Sequence, residues 1–178
     1  CLGIVQTPQF FRTHKEMSWT ERGAAAVQEF FYRLIQVSLD RQGGAICVGT
    51  CAVYRRTALA ANGGTTLIEH SEDIHTGFDL ARAGWSLRYI PIPLSTGLCP
   101  SDPDSFLLQQ YRWCMGSMSL ISSRKFWSTA MSLRARCGYL AGFCYYVNTA
   151  FYTFIGPAIS LILLIALPRE VQLENYGL

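Results

Sequence analysis

The chain has 178 residues, 50% hydrophobic and only 15% charged, against roughly 25% charged in an ordinary soluble domain. A net charge of +3, with basic residues scattered or merely paired, argues against a nucleic-acid partner. The apolar content excludes disorder, collagen-like sequence and a small disulfide scaffold. Seven cysteines form no CxxC pair, which reads as reduced thiols without zinc or redox spacing.

Taken in order, Ile4–Val5 ends a strand that enters a loop at Gln6–Gln9. Trp19 to Asp40 has helical spacing, with apolar residues at Phe30, Phe31, Leu34, Ile35 and Val37, and Gly43–Gly44 stops it. Ala45 to Tyr54 reads as a buried segment around Gly49–Thr50. A short helix, Thr57 to Ala61, ends at Asn62–Gly63–Gly64. A second runs from Ser71 to Ala83, with Ser71 as N-cap, Glu72 and Asp73 in its first turn and Gly84 just beyond. Trp85 to Ile90 is a strand stopped by Pro91 and Pro93. A helix from Ser105 to Ser122 follows Ser101–Asp104. Helices alternating with strands predict an α/β fold.

Cys137 to Pro168 carries no charge over 32 residues. As one helix it would be about 48 Å long, against about 30 Å of bilayer hydrocarbon. Tyr139 to Phe154 is rich in aromatic rings, which suit a membrane interface; Ile159 to Leu167 is aliphatic, which suits its interior. The expectation is an interfacial stretch turning into a transmembrane helix, bending at Gly156–Pro157. The domains follow: a globular part at 1–136 and a membrane part at 137–178. Arg124, Lys125, Arg134 and Arg136 precede the segment, and Arg169, Glu170 and Glu174 follow it, so the globular part is expected to face the cytoplasm.

Two clusters could carry chemistry. Glu72 and Asp73 sit at a helix start, where acidic groups meet orphan N–H donors and the positive dipole end; a carboxylate there also serves as general base when a hydroxyl comes within reach. Gln109, Arg112, Trp113 and Gly116 fall on one helical face, offering an amide, a guanidinium, an indole and room beside them. Arginine suits phosphate oxygens. A solvated polar face over a buried Trp113 fits the same spacing. His70 and His75 lie close to the acidic pair, with His75 the better site candidate. No Gly-rich phosphate loop and no transition-metal spacing of His or Cys is present.

The order of Val5 to Phe11, Val48 to Arg56, Glu72 to Gly77, Gln109 to Trp113 and a membrane segment resembles the family 2 processive glycosyltransferases, cellulose synthase and its relatives above all. The resemblance covers essentially the whole chain. It implies the C-terminal part of a GT-A (Rossmann-like) domain followed by interfacial helices and a transmembrane helix. Asp73 would be the base toward an acceptor sugar, with Glu72 supporting it. Gln109 and Arg112 would bind the diphosphate of a UDP-sugar, UDP-glucose foremost, and Trp113 would stack on the acceptor. Gly49 and Thr50 would belong to a loop beside the growing polysaccharide. Partners are then the donor, the polymer and the lipid bilayer. Mg²⁺ or Mn²⁺ would be the cofactor, with its Asp-x-Asp ligands expected before Cys1 in a longer chain, since Asp102–Pro103–Asp104 has the spacing in the wrong place. A piece without them is expected to be inactive alone. Ser71 stands where Thr is frequent, and Ile46–Cys47–Val48 where Phe-Phe-Cys is common. Another polymer, a single sugar on a lipid, or a scaffold that lost its metal site are the competing readings.

Overall fold

A computed structural model describes residues 1–167. These separate into two compact units, one from Cys1 to Gly142 and one from Phe143 on.

In the first unit, β1 (Leu2–Gln6) is the central strand of a three-stranded sheet. It pairs antiparallel with β3 (Ala52–Tyr54) and parallel with β4 (Ser86–Tyr89). Ile4 opposes Tyr54 on one side and Leu87 on the other. The parallel pairing requires a crossover, and helices supply it. A second, two-stranded parallel sheet joins β2 (Gln9–Phe11) to β5 (Ser95–Gly97). The architecture is mixed α/β, as the alternation predicts. Strand β1 extends through Gln6, which the sequence placed in a loop, because Gln6 pairs with both Ala52 and Tyr89.

The expected helix from Trp19 to Asp40 is one rod with an internal irregularity. It comprises α1 (Trp19–Phe30), a π-helical turn (Phe31–Ile35) and α2 (Gln36–Arg41). Ser18 and Glu21 start it with a reciprocal capping box, Glu21 N–H donating to Ser18 Oγ at 3.2 Å and Ser18 N–H to Glu21 Oε2 at 2.7 Å. Tyr32, from the π turn, is buried among Ile4, Cys47, Leu80 and Leu87, stacks on Tyr89 at 6.1 Å between centroids, and accepts the Tyr89 hydroxyl at its carbonyl, 3.0 Å away. Asp40 binds the Arg88 guanidinium and, at 2.8 Å, the Tyr89 N–H. Helix and sheet are thus held by both apolar and polar contacts.

After α3 (Arg56–Ala61), α4 spans Glu72–Arg82, α5 Pro103–Ile121 and α6 Arg124–Ser128. Helix α5 starts two residues earlier than Ser105, because Asp102 caps it, accepting from Ser105 N–H at 2.9 Å, and Pro103 needs no amide partner in the first turn. Asp102–Pro103–Asp104 is therefore a helix start. Phe78 of α4, Phe126 of α6 and Tyr139 form an aromatic cluster with centroids 5.7 to 6.1 Å apart. Truncating either buried Phe to Ala would cost about 3–5 kcal/mol.

Residues 133–166 form one continuous helix, α7 (Leu133–Ala166), 34 residues long and long and apolar enough to cross a membrane. The helix continues through Gly156–Pro157, with Pro157 inside it. The missing proline amide costs one backbone bond, while the flanking turns carry hydroxyl-to-carbonyl bonds, Thr153 Oγ1 to Thr149 at 2.7 Å and Ser160 Oγ to Gly156 at 3.0 Å. In the second unit the stretch from Phe143 to Ala166 is about 36 Å long, enough for one span. Its large side chains, among them Phe151, Phe154, Leu161 and Ile165, are exposed. Arg169, Glu170 and Glu174, used in reading the charge asymmetry, lie outside the described residues.

Candidate active site

The candidate site comprises the turn before β3, the start of α4 and a stretch of α5. Between Ala45 and β3 the chain makes a turn without regular structure, closed by Thr50 N–H to Val48 C=O at 2.7 Å. Gly49 has φ +70°, and a Cβ there would lie 2.8 Å from Asp73 Oδ2 and 3.1 Å from Asp73 Cβ. Both the left-handed backbone and the carboxylate behind it demand glycine. Cys51, two residues on, is also left-handed at φ 54°, with its Sγ 2.7 Å from Ser95 Oγ. Below this turn Cys47 is buried, its Sγ 3.0 Å from the Tyr54 hydroxyl. Burial pushes both the Cys47 thiol and the Tyr54 hydroxyl up.

Asp73 is half-buried at the start of α4, and Glu72 beside it is exposed. Burial raises the Asp73 pKa above the ordinary carboxylate range; the Ile74 N–H, 2.8 Å from Oδ1, opposes this, and the negative charge of Glu72 adds to it. Asp73 is therefore a more basic carboxylate than an exposed one.

Ser71 is the N-cap residue by position and does not act as the cap that its type predicts. Its backbone is left-handed, φ 56° and ψ 43°, and its side chain makes no cap bond. The hydroxyl instead donates to the Arg112 carbonyl on α5 at 3.4 Å. The Ser71 side chain fills the space that a Cβ on Gly116 would need. The room left by Gly116 is thus taken by Ser71, not left open beside Arg112 and Trp113. One turn on, His75 Nε2 lies 2.8 Å from Ser119 Oγ, which also donates to the Gly116 carbonyl at 2.8 Å. Burial lowers the His75 pKa, and the Lys125 charge lowers it further. His75 thus links α4 to α5.

The structure brings Gly49 against Asp73, and the backbone of Arg112 against Ser71. Gln109 and Trp113 lie on the same helix, both half-buried, with the Arg112 side chain exposed. Gln109 Oε1 is buried without a hydrogen-bond partner among the described residues. Thr50 contributes its backbone to the turn. Among the described residues no group of three or more His, Cys, Asp or Glu side chains could hold a metal ion.

Sequence reasoning missed two buried glutamines that support this turn, Gln6 and Gln36. The signal was a polar residue inside an apolar run, Ile4–Val5–Gln6 and Leu34–Ile35–Gln36–Val37.

Residues 2–168 match the family model described as glycosyl transferase family group 2, and the chain belongs to that family. It is 32% identical over 118 residues to the cellulose synthase catalytic subunit (UDP-forming) of Xanthomonas axonopodis pv. citri, covering 65% of this chain and 16% of that protein. It is 34% identical over 119 residues to the protein of the same description from Pseudomonas fluorescens, with 65% and 16% covered. With cellulose synthase 1 of Komagataeibacter xylinus it shares 34% over 90 residues, 51% of this chain and 6% of that protein. The matches thus span no more than about a sixth of these relatives.

Proposed function

We propose that this chain is the acceptor-side part of a membrane-bound, inverting glycosyltransferase that extends a β-linked polysaccharide from a UDP-sugar, UDP-glucose foremost. The domain is the C-terminal part of a GT-A fold. Asp73 takes the proton of the acceptor hydroxyl; the freed oxygen attacks the anomeric carbon as the bond to the diphosphate breaks, and UDP leaves from the opposite face. Glu72 keeps Asp73 basic through its charge. The Arg112 guanidinium neutralises charge developing on the diphosphate, Gln109 binds it through its amide, and Trp113 offers a flat face to the acceptor sugar. Gly49 and Thr50 form the floor beside the acceptor end. A divalent cation, Mg²⁺ or Mn²⁺, would assist the leaving diphosphate from ligands outside the described residues, which form no such cluster; no bond or proton in this step is assigned to it.

Helix α5 presents an exposed apolar row, Leu107, Leu108, Tyr111 and Met115, as an interfacial helix would. With α7 as the span and the basic residues Arg124, Lys125, Arg134 and Arg136 before it, the catalytic part faces the cytoplasm.

The observation that carries this reading is the seating of Ser71 against Gly116, which ties the turn bearing Arg112 to the helix start bearing Asp73. In the full-length protein in membranes, with UDP-glucose as donor, Arg112→Ala is expected to raise the donor KM at least about tenfold, a charged contact being worth about 1.5–3 kcal/mol. Trp113→Ala is expected to spare donor binding and slow polymer extension. Parental kinetics in both variants would sink the assignment.

A further inference from the structure

The turn that faces Asp73 is held by side chains that the proposed chemistry does not use. Gln6, the last residue of β1, is fully buried, so its amide must find partners inside the protein. Its Oε1 accepts from Val48 N–H at 2.9 Å. The next residue, Thr7, donates through both its N–H and its hydroxyl to the Cys51 carbonyl, at 3.0 and 3.4 Å. Gln6 and Thr7 therefore grip the turn at both ends, the N–H of Val48 and the C=O of Cys51. Between them lies Gly49, in contact range of the Asp73 carboxylate. Upstream, Gln36 holds Ile46 in the same manner: Oε1 accepts Ile46 N–H at 3.1 Å, and Nε2 donates to the Ile46 carbonyl. Residues 45–49 belong to no helix or strand, so buried amides do there what a neighbouring strand does elsewhere. The Gln6 Nε2 is buried and unpaired among the described residues.

We infer that Gln6 is a positioning residue for sugar transfer. By holding Val48 N–H it sets the height of the Val48–Thr50 turn against Asp73, and with it the distance between the base and the acceptor hydroxyl. The inference rests on the proposed function above.

The test uses the full-length protein in membrane vesicles, with UDP-glucose as donor and UDP binding measured in parallel. Gln6→Met keeps the size and removes both polar ends. It is expected to lower kcat by about 10- to 100-fold, the cost of a misplaced reacting group, with donor KM within about twofold and UDP binding unchanged. Gln6→Glu returns a carboxyl oxygen as acceptor to Val48 N–H; it is expected to retain at least about a tenth of parental kcat. Parental kcat in Gln6→Met overturns the inference, as does a Gln6→Glu variant no faster than Gln6→Met. A loss of kcat in strict proportion to UDP-binding protein also overturns it, since Gln6 would then only hold the fold. If Gln6→Met does not accumulate, Gln6→Asn, whose amide falls one methylene short of Val48, takes its place with the same expected split. Asp73→Asn separates the two levels. Parental turnover in Asp73→Asn defeats the proposed function itself, whereas loss there with none in Gln6→Met defeats only this inference.

Discussion

A methyl group at position 49 would land 2.8 Å from Asp73 Oδ2 on a backbone already at φ +70°. Gly49→Ala is therefore expected to cost about 1–2 kcal/mol in backbone strain and to push the carboxylate aside. Polymer synthesis should fall at least about tenfold with donor KM little changed, in a steady-state assay. Asp73 has its own signature. Burial, with Glu72 adding and the Ile74 N–H opposing, raises its pKa in the folded protein. As a base it must be ionised, so the acid limb of the rate profile lies above the ordinary carboxylate range and moves down in Glu72→Gln. The stability sign is opposite. A carboxyl raised on folding contributes stability below its unfolded pKa and loses it as pH rises through the folded pKa. Asp73→Asn keeps the acceptor for Ile74, so its melting temperature near neutral pH should exceed the parent's, with the gap closing in acid. An acid limb at the usual carboxylate pKa, and a Tm difference independent of pH, would count against a perturbed Asp73.

At the scale of elements, the junction of α4 with α5 is a tongue and notch, the Ser71 side chain seated on Gly116. Gly116→Ala should destabilise by about 1–3 kcal/mol, as overpacking does. Ser71→Gly in the same chain should recover most of that loss, because glycine accepts the left-handed backbone at 71 and clears the notch. A double variant no more stable than Gly116→Ala, by thermal unfolding, would show that the clash is not what Gly116 avoids. The sequence anticipated the helical face of Gln109, Arg112, Trp113 and Gly116 because that periodicity is local. It did not show what faces Gly116, since Ser71 is more than forty residues away and its type predicts an ordinary cap. The left-handed backbone of Ser71 is not announced by its residue type. Strands β2 and β5, three residues each, have no alternation to read, and they exist only by pairing with one another. The π turn at Phe31–Ile35 carries Tyr32 onto Tyr89, and no residue in it announces the irregularity.

For the whole molecule, low charge resolves into two different properties. The unit through Gly142 buries an ordinary core around Ile4, Tyr32 and Leu80. The residues from Phe143 to Ala166 expose most of their apolar side chains along one helix. Uncharged length and composition pointed to a long apolar helix here; α7 begins at Leu133, four residues before the expected boundary, and the two units divide after Gly142. The site was legible as motifs, because the acidic pair and the Gln109–Trp113 segment are short and local. Its supports were not, because Gln6, Gln36 and Ser71 act on backbone groups that only the fold brings near. The central claim is that Asp73, at the helix start facing Gly49, is the base for sugar transfer. Its most direct test is incorporation of radiolabelled UDP-glucose into insoluble β-glucan by vesicles carrying the full-length protein or Asp73→Asn. The account predicts polymer from the parent and a loss of at least about 100-fold in Asp73→Asn with UDP binding retained. Polymer from Asp73→Asn at the parental rate would contradict it.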